Sequence, residues 1–256
     1  MKTKTVMICI TLVMLTGVGV QAQTPYDKKN MTEIGSLSRR GNASIAEFVT
    51  WTIGEPEDEF RGPLYEAWEK YKRHKPLDKG VTIVLDEKNG YFRYDVDFDK
   101  MYEDEEGTPS ESTAFMEVCM WNCADGRHKV IAENVGGTYK GKPSDGGQFD
   151  GYFFYLYDKY TRKLYMFDDV IDADELSSLA SQKWHGDGEW YYANDHETGE
   201  WKRMTEEEFH QWQSDRPVLT LSLPRNGKDI KANIYTPKGT KERTFAWDGY
   251  RFHLVK

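Results

Sequence analysis

The chain has 256 residues, with 34 Lys+Arg against 43 Asp+Glu, a formal net charge of −9, and eight Trp, 16 Tyr and 12 Phe. That acidic balance argues against partners that demand clustered cations, so no nucleic acid and no anionic membrane surface is expected. The aromatic content argues against disorder and for a β-rich protein with a core of its own.

Residues 1–22 read as a secretory signal peptide. Lys2 and Lys4 form a basic head, Thr5 to Val20 is apolar, and Val20-Gln21-Ala22 is a small-x-small cleavage pattern. The expected location is therefore exported, in the periplasm or the extracellular space, after cleavage near Ala22. No later apolar run is long enough for a membrane span. Residues 23–41 are polar, carry Lys28-Lys29 and Arg39-Arg40, and read as a flexible N-terminal arm. Residues 42–256 form a β-rich body. It has a candidate split near 101–112, where the acidic loop Glu103-Asp104-Glu105-Glu106 runs into Gly107-Thr108-Pro109.

Two helices open the body. Ser44-Ile45-Ala46-Glu47 is a capping-box pattern, followed by Ile45, Phe48, Val49 and Thr52 at helical spacing. Pro63 starts a second helix with Leu64, Ala67, Trp68 and Tyr71 on one face, and Pro76 stops it. Strands take over at Val81. Val81 to Leu85 and Tyr91 to Phe98 flank a turn at Asn89-Gly90 as a hairpin. Phe92, Tyr94, Val96 and Phe98 share its inward face, with Arg93, Asp95, Asp97 and Asp99 on the other. Thr113 to Asn122 is apolar on one face and largely apolar on the other, which makes it a central strand. Asp125-Gly126 turns it into Arg127 to Glu133.

An internal repeat follows. Asp150-Gly151-Tyr152-Phe153-Phe154-Tyr155-Leu156-Tyr157-Asp158 aligns with Asp187-Gly188-Glu189-Trp190-Tyr191-Tyr192-Ala193-Asn194-Asp195, and further on Leu164 meets Trp201. Each copy reads strand, turn, strand, then a short helix: Asp172 to Ala180, and Thr205 to Trp212. This is a duplicated ββα unit, or two similar hairpins in one sheet. The remainder is strand: Leu219, Leu221 and Leu223 alternate, Ile230, Ala232 and Ile234 alternate, and Asp248-Gly249 turns a final hairpin. The fold class is α+β, predominantly antiparallel β hairpins with two N-terminal helices and two short later helices.

Trp121-Asn122-Cys123-Ala124-Asp125-Gly126-Arg127-His128-Lys129, Leu223-Pro224-Arg225-Asn226-Gly227-Lys228-Asp229-Ile230 and Trp247-Asp248-Gly249-Tyr250-Arg251-Phe252 resemble blocks found in uncharacterised exported β-rich proteins of Bacteroidota-type bacteria. The resemblance implies a bacterial, exported β-rich protein and brings no activity or site with it.

Four motifs bear on chemistry. Asp95, Asp97 and Asp99 with Glu106 match part of a calcium loop, but its turn position holds Lys100 rather than Gly, and Val96 and Phe98 alternate as core residues. These acids read as the wet face of a strand, with a looser calcium site through Asp97 and Asp99 as the metal alternative. Cys123 and His128 face each other across a two-residue turn, and such a pair can generate a thiolate. No orienting third group or oxyanion hole accompanies them, so a packed Cys beside an exposed His is the reading. Cys119 and Cys123, on one strand, would lie about 13 Å apart at ~3.3 Å per residue, beyond the about 7 Å a disulfide allows. His185, Asp187, Asp195, His196 and Glu197 crowd one hairpin without a standard zinc spacing.

The aromatic concentration from Trp184 to Trp212 carries the functional expectation. Adjacent strand residues face opposite ways, so Trp190, Tyr191 and Tyr192 do not share one buried face. Exposed rings can stack on a sugar or anchor a partner protein. The candidate ligand-binding residues are Trp184, Trp190, Tyr192 and Trp201. The expected function is an exported, non-enzymatic binding module for a glycan or an envelope protein. The alternative is a secreted hydrolase using Asp/Glu residues, in a calcium-dependent or calcium-free form.

Overall fold

In the computed structural model, the alternating sequence between Val81 and Met166 builds most of one antiparallel sheet. The structure describes residues 26, 29, 31–37, 41–54, 62–102, 111–143, 151–180, 184–194, 198, 200–214, 217–236 and 238–255. The expected signal peptide lies outside them. The large sheet contains β1 (Thr32–Ser36), β2 (Val81–Asp86), β3 (Tyr91–Asp97), β4 (Ser112–Asn122), β5 (His128–Tyr139), β6 (Lys142–Pro143), β7 (Gly151–Asp158) and β8 (Lys163–Met166). Their order is β1-β8-β7-β5-β4-β3-β2, with β6 also paired to β5. The β2–β3 turn ends at Gly90, whose φ is +65° and where a Cβ would lie 2.9 Å from the Met120 carbonyl oxygen. Both the conformation and the space call for glycine there.

Both faces of this sheet are covered, because its strands are apolar on alternate residues in both senses. On one face, Phe92, Tyr94, Val96, Met116, Val118, Ile131, Tyr155 and Tyr157 pack against α1 (Ile45–Ile53) and α2 (Gly62–Lys72). Ser44 caps α1: its Oγ accepts from the Glu47 amide at 3.2 Å, and Glu47 accepts from the Ser44 amide at 2.9 Å. On the other face, Tyr91, Cys119, Trp121, Val130, Ala132, Phe154 and Leu156 meet a four-stranded sheet of β12 (Val218–Ser222), β13 (Ile230–Thr236), β14 (Gly239–Trp247) and β15 (Phe252–Leu254). That sheet contributes Leu221, Leu223, Ile230, Ala232, Phe245 and Phe252. The rings of Trp121 and Phe252 meet edge to face at 5.0 Å, a favoured arrangement. The result is helices, sheet, sheet. No described helix is long and apolar enough to cross a membrane.

Two expectations about chain organisation are corrected. The segment 23–41 is not simply an arm. Thr32–Ser36 is the edge strand β1, paired with β8, and Tyr26 is buried among Phe167, His128 and Tyr250. Its polarity suits an edge strand with little burial, and a single aromatic residue anchors the part before it. The candidate split at 101–112 does not divide the body either. The strands on its two sides, β3 and β4, are paired neighbours from Tyr91↔Cys119 to Asp97↔Thr113. The acidic residues 103–110 lie outside the described residues, and before them the chain makes only α3 (Phe98–Met101).

The two repeat copies share a register but not a sheet. In the first, β7 and β8 pair Tyr155↔Met166 and Tyr157↔Leu164. In the second, β10 (Tyr191–Asn194) and β11 (Trp201–Met204) pair Tyr192↔Arg203 and Asn194↔Trp201, the aligned positions. The first hairpin joins the large sheet. The second, with β9 (Trp184–Gly186), forms a separate three-stranded sheet in the order β11-β10-β9. After the first hairpin comes α4 (Ala173–Ser178), and after the second α5 (Glu206–Ser214). Leu176 of α4 packs in the cluster of Phe154, Leu156 and Phe167; Phe209 of α5 packs with Ala193 and Met204. Each following helix therefore covers the same face of its hairpin.

Candidate functional site: an uncovered aromatic face

The second hairpin differs from the first on its opposite face. In the first copy, Tyr155 is buried beneath α1, with the Phe48 ring 5.2 Å from its own, and Leu164 is buried in the same cluster. Their aligned partners Tyr192 and Trp201 lie on the face of the small sheet away from α5. Trp201 is 52% exposed where Leu164 is 0% exposed. Aromatic residues stand here at positions where, among the described residues, no helix covers them. The inner face of the same sheet is small and complete: Tyr191 stacks on Phe209 at 4.2 Å, Phe209 stacks on Trp212 at 5.6 Å, and Ala193 and Met204 are buried beside them.

Strand alternation and register assemble the outward set. Tyr192 is opposite His185 on β9 and Arg203 on β11, and Asn194 is opposite Trp201. The His185 and Tyr192 rings stack at 4.8 Å with an interplanar angle of 8°. The Trp201 ring tilts against His185 at 5.1 Å. The Arg203 guanidinium carbon lies 3.5 Å from the centre of the Trp190 ring, a cation–π contact. The turn before β10 fixes the arrangement. Asp187 accepts from the Glu189 and Trp190 amides at 3.0 and 2.7 Å, and the Tyr192 hydroxyl donates to its other oxygen at 3.1 Å. The Trp190 and Glu189 amides lead in holding the Asp187 carboxyl below the usual carboxylate range. The same carboxylate, through its hydrogen bond with Tyr192, is the main reason the phenol sits above its ordinary value. The chemistry available here is stacking, with polar groups at the rim.

Of the sequence-derived residues, Tyr192 and Trp201 come together around His185, and Trp190 joins them through Arg203. Trp184 lies on β9 opposite Ala193. Arg203 was not singled out in the sequence, and His185 was singled out only as part of a candidate zinc cluster; neither was placed in the aromatic set. The signal for both was cross-strand register: once Tyr192 is placed outward, the residues opposite it are outward too.

The loop acids of the calcium alternative lie outside the described residues, and within them Asp97 and Asp99 have structural partners. Asp97 caps α3, accepting from the Lys100 amide at 3.2 Å and pairing with its ammonium at 2.7 Å. The Asp99 carboxylate accepts from the Glu111 amide at 3.0 and 3.1 Å. Asp95 is forked by Arg93. These acids end a strand and anchor a loop, which accounts for their alternation. Among the described residues no group of three or more His, Cys, Asp or Glu side chains is placed to hold a metal ion. Asp195, His196 and Glu197 of the zinc candidate lie outside the described residues, and His185 and Asp187 have the stacking and turn roles above.

Cys123 and His128 do not form a dyad. The Cys123 thiol lies 3.2 Å from the Tyr26 hydroxyl, while His128 Nδ1 is 2.6 Å from Asp125 Oδ2. His128 is buried rather than exposed, because Asp125 supplies its partner inside the turn. Elsewhere an open cleft of about 540 Å³ between α1 and α2 is lined by Trp51, Trp68 and Tyr71. A cleft of about 420 Å³ gathers Asp169, Asp172 and Asp174 near His253. In the latter, Asp172 accepts from the Glu175 amide at 2.8 Å and so opens α4. No protein-family model matches the chain, and no curated protein matches it.

Proposed function

We propose that this is an exported, non-enzymatic binding module that takes a carbohydrate on the outward face of the small sheet. The observation that supports it is the set of half-buried Tyr192 with exposed His185 and Trp201, on the face where α1 packs on Tyr155 in the sister hairpin. Flat rings with polar groups at their edge suit a pyranose, whose axial C–H groups pack on an aromatic face while its hydroxyls reach the rim. Export follows from the expected signal peptide and is part of the same proposal, as is the bacterial origin that the resemblance implies.

A glycan array with the full mature chain tests it. Binding to at least one glycan class is expected, weakened about ten-fold or more in Trp201→Ala and Tyr192→Ala, since loss of one stacking ring removes roughly 1–3 kcal/mol of such contacts. No binding to any glycan, or equal binding by both variants, would sink the reading. The rival secreted hydrolase would work in the cleft of Asp169, Asp172 and Asp174. Release of reducing ends from a bound glycan, abolished in Asp169→Asn or Asp174→Asn, would replace binding with hydrolysis.

A further inference from the structure

We infer that the sugar held on this face carries a carboxylate, as in a short oligouronide. The inference rests on the carbohydrate reading above and adds the ligand's charge. In a chain of net charge −9, the outward face displays an exposed guanidinium, that of Arg203. Arg203 stacks on Trp190 at 3.5 Å, and among the described residues no carboxylate pairs with it. The ring occupies one face of the guanidinium and leaves its in-plane N–H donors at the edge. Those donors form a fork that matches a carboxylate bidentately. Stacking also restricts the side chain before any ligand arrives, which lowers the ordering cost of binding.

Of the two turn acids, Glu189 is not paired with Arg203 among the described residues, and Asp187 does not compete for that fork. Both oxygens of Asp187 are already engaged by the Glu189 and Trp190 amides and the Tyr192 hydroxyl. Arg203 is directly opposite Tyr192 in the ladder, so guanidinium and stacking ring are neighbours on one face, with Cβ atoms about 5 Å apart. A pyranose packed against the outer edge of the Tyr192–His185 stack brings a carboxylate on its ring within reach of Arg203. A neutral sugar leaves the fork to water. The acidity of the rest of the chain sets the ligand's size: charges beyond about 8 Å are screened at physiological salt, so a short oligouronide meets Arg203 without repulsion from distant acids, whereas a long polyanion crosses acidic surface.

Calorimetric titration of the full mature chain with trigalacturonate and with its carboxyl-reduced, neutral counterpart tests this. The wild type is expected to bind the acid about ten-fold more tightly than the neutral sugar. In Arg203→Gln that preference should fall to about one-fold, and Arg203→Lys, which keeps the charge and loses the fork, should fall between. The wild-type comparison requires no variant to fold. Equal affinity for both sugars overturns the uronate inference and leaves carbohydrate binding standing, as does an undiminished preference in Arg203→Gln. Failure to bind either, or any glycan on the array, overturns both.

Discussion

Arg127 forks Asp158 across the β5–β7 pair, with Nε 3.0 Å from Oδ1 and Nη2 bonded to Oδ2. The carboxylate also accepts from the Tyr160 and Thr161 amides, at 2.9 and 3.4 Å, and closes the turn into β8. Burial alone would raise its pKa. The Arg127 bond and the two amides outweigh burial and hold the carboxyl well below the usual range. A depressed folded-state pKa contributes stability that is fully present above the unfolded value of about 3.9 and is lost as pH falls toward the folded value. Asp158→Asn should therefore cost about 2–4 kcal/mol near neutral pH, because it breaks a largely buried pair. The gap from the wild type should narrow progressively below about pH 4, where the wild type loses this contribution. Urea melts at neutral and acid pH measure both. A variant that melts like the wild type near neutrality would show that the pair adds nothing.

This turn also shows how far the sequence could be read. Alternation and Asp-Gly turns revealed the hairpins, and the capping box at Ser44 and Glu47 is formed as written. The repeat was visible as aligned aromatics, and its registers match pair for pair. Its environment was not visible. Leu164 and Trp201 are aligned, yet one is buried in the cluster that α1 helps to form and the other is exposed, because the residues that cover the first copy are distant in sequence. Arg203 escaped notice, and His185 was read as a zinc candidate, for a related reason: their place in the aromatic set comes from the residue opposite them, not from their own spacing. Tyr26 could not be placed at all, since one aromatic in a polar stretch has no periodicity to report its burial.

Glu117 is a buried polar tie between the two sheets. It is 3% exposed and accepts from the Tyr91 hydroxyl at 2.6 Å, the Leu223 amide at 2.8 Å and Arg93 Nη1 at 3.3 Å. Glu117→Gln keeps the volume but turns one acceptor into a donor facing other donors. It should lower stability by about 1–3 kcal/mol, the cost of an unsatisfied buried group. Hydrogen exchange distinguishes this from a general loss: the Leu223 amide should exchange faster than amides of β4 and β5. Uniform acceleration across both sheets would contradict a local docking role.

Tyr26 ties the start of the described chain to its end. Its hydroxyl donates to the Tyr250 carbonyl at 2.9 Å, and its ring meets Phe167 edge to face at 5.1 Å. Tyr26→Phe should lower stability by about 1 kcal/mol through the lost hydrogen bond. Tyr26→Ala should cost about 3–5 kcal/mol by opening a cavity among aromatic rings. Thermal melts rank the two. If Tyr26→Ala melts with the wild type, the N-terminal segment adds nothing to the folded core.

Cys119 and Cys123 both project toward the four-stranded sheet, both are buried, and they are not bonded to each other. Burial leads in pushing the Cys119 thiol up to about 12 and the Cys123 thiol up to about 11, with the Glu117 and Asp125 charges adding to each. The Cys119 thiol donates to the Pro224 carbonyl at 3.3 Å. Near pH 8 the reactive thiolate is then on the order of one in a thousand or less at either site. Iodoacetamide should leave the native mature protein unlabelled and, after urea is added, should modify both residues. A reductant should leave the melting midpoint unchanged, since no disulfide joins this pair. Intact-mass spectrometry reads the labelling. Rapid native modification of either cysteine would mean that the sheet-to-sheet contact opens far more readily than its packing indicates.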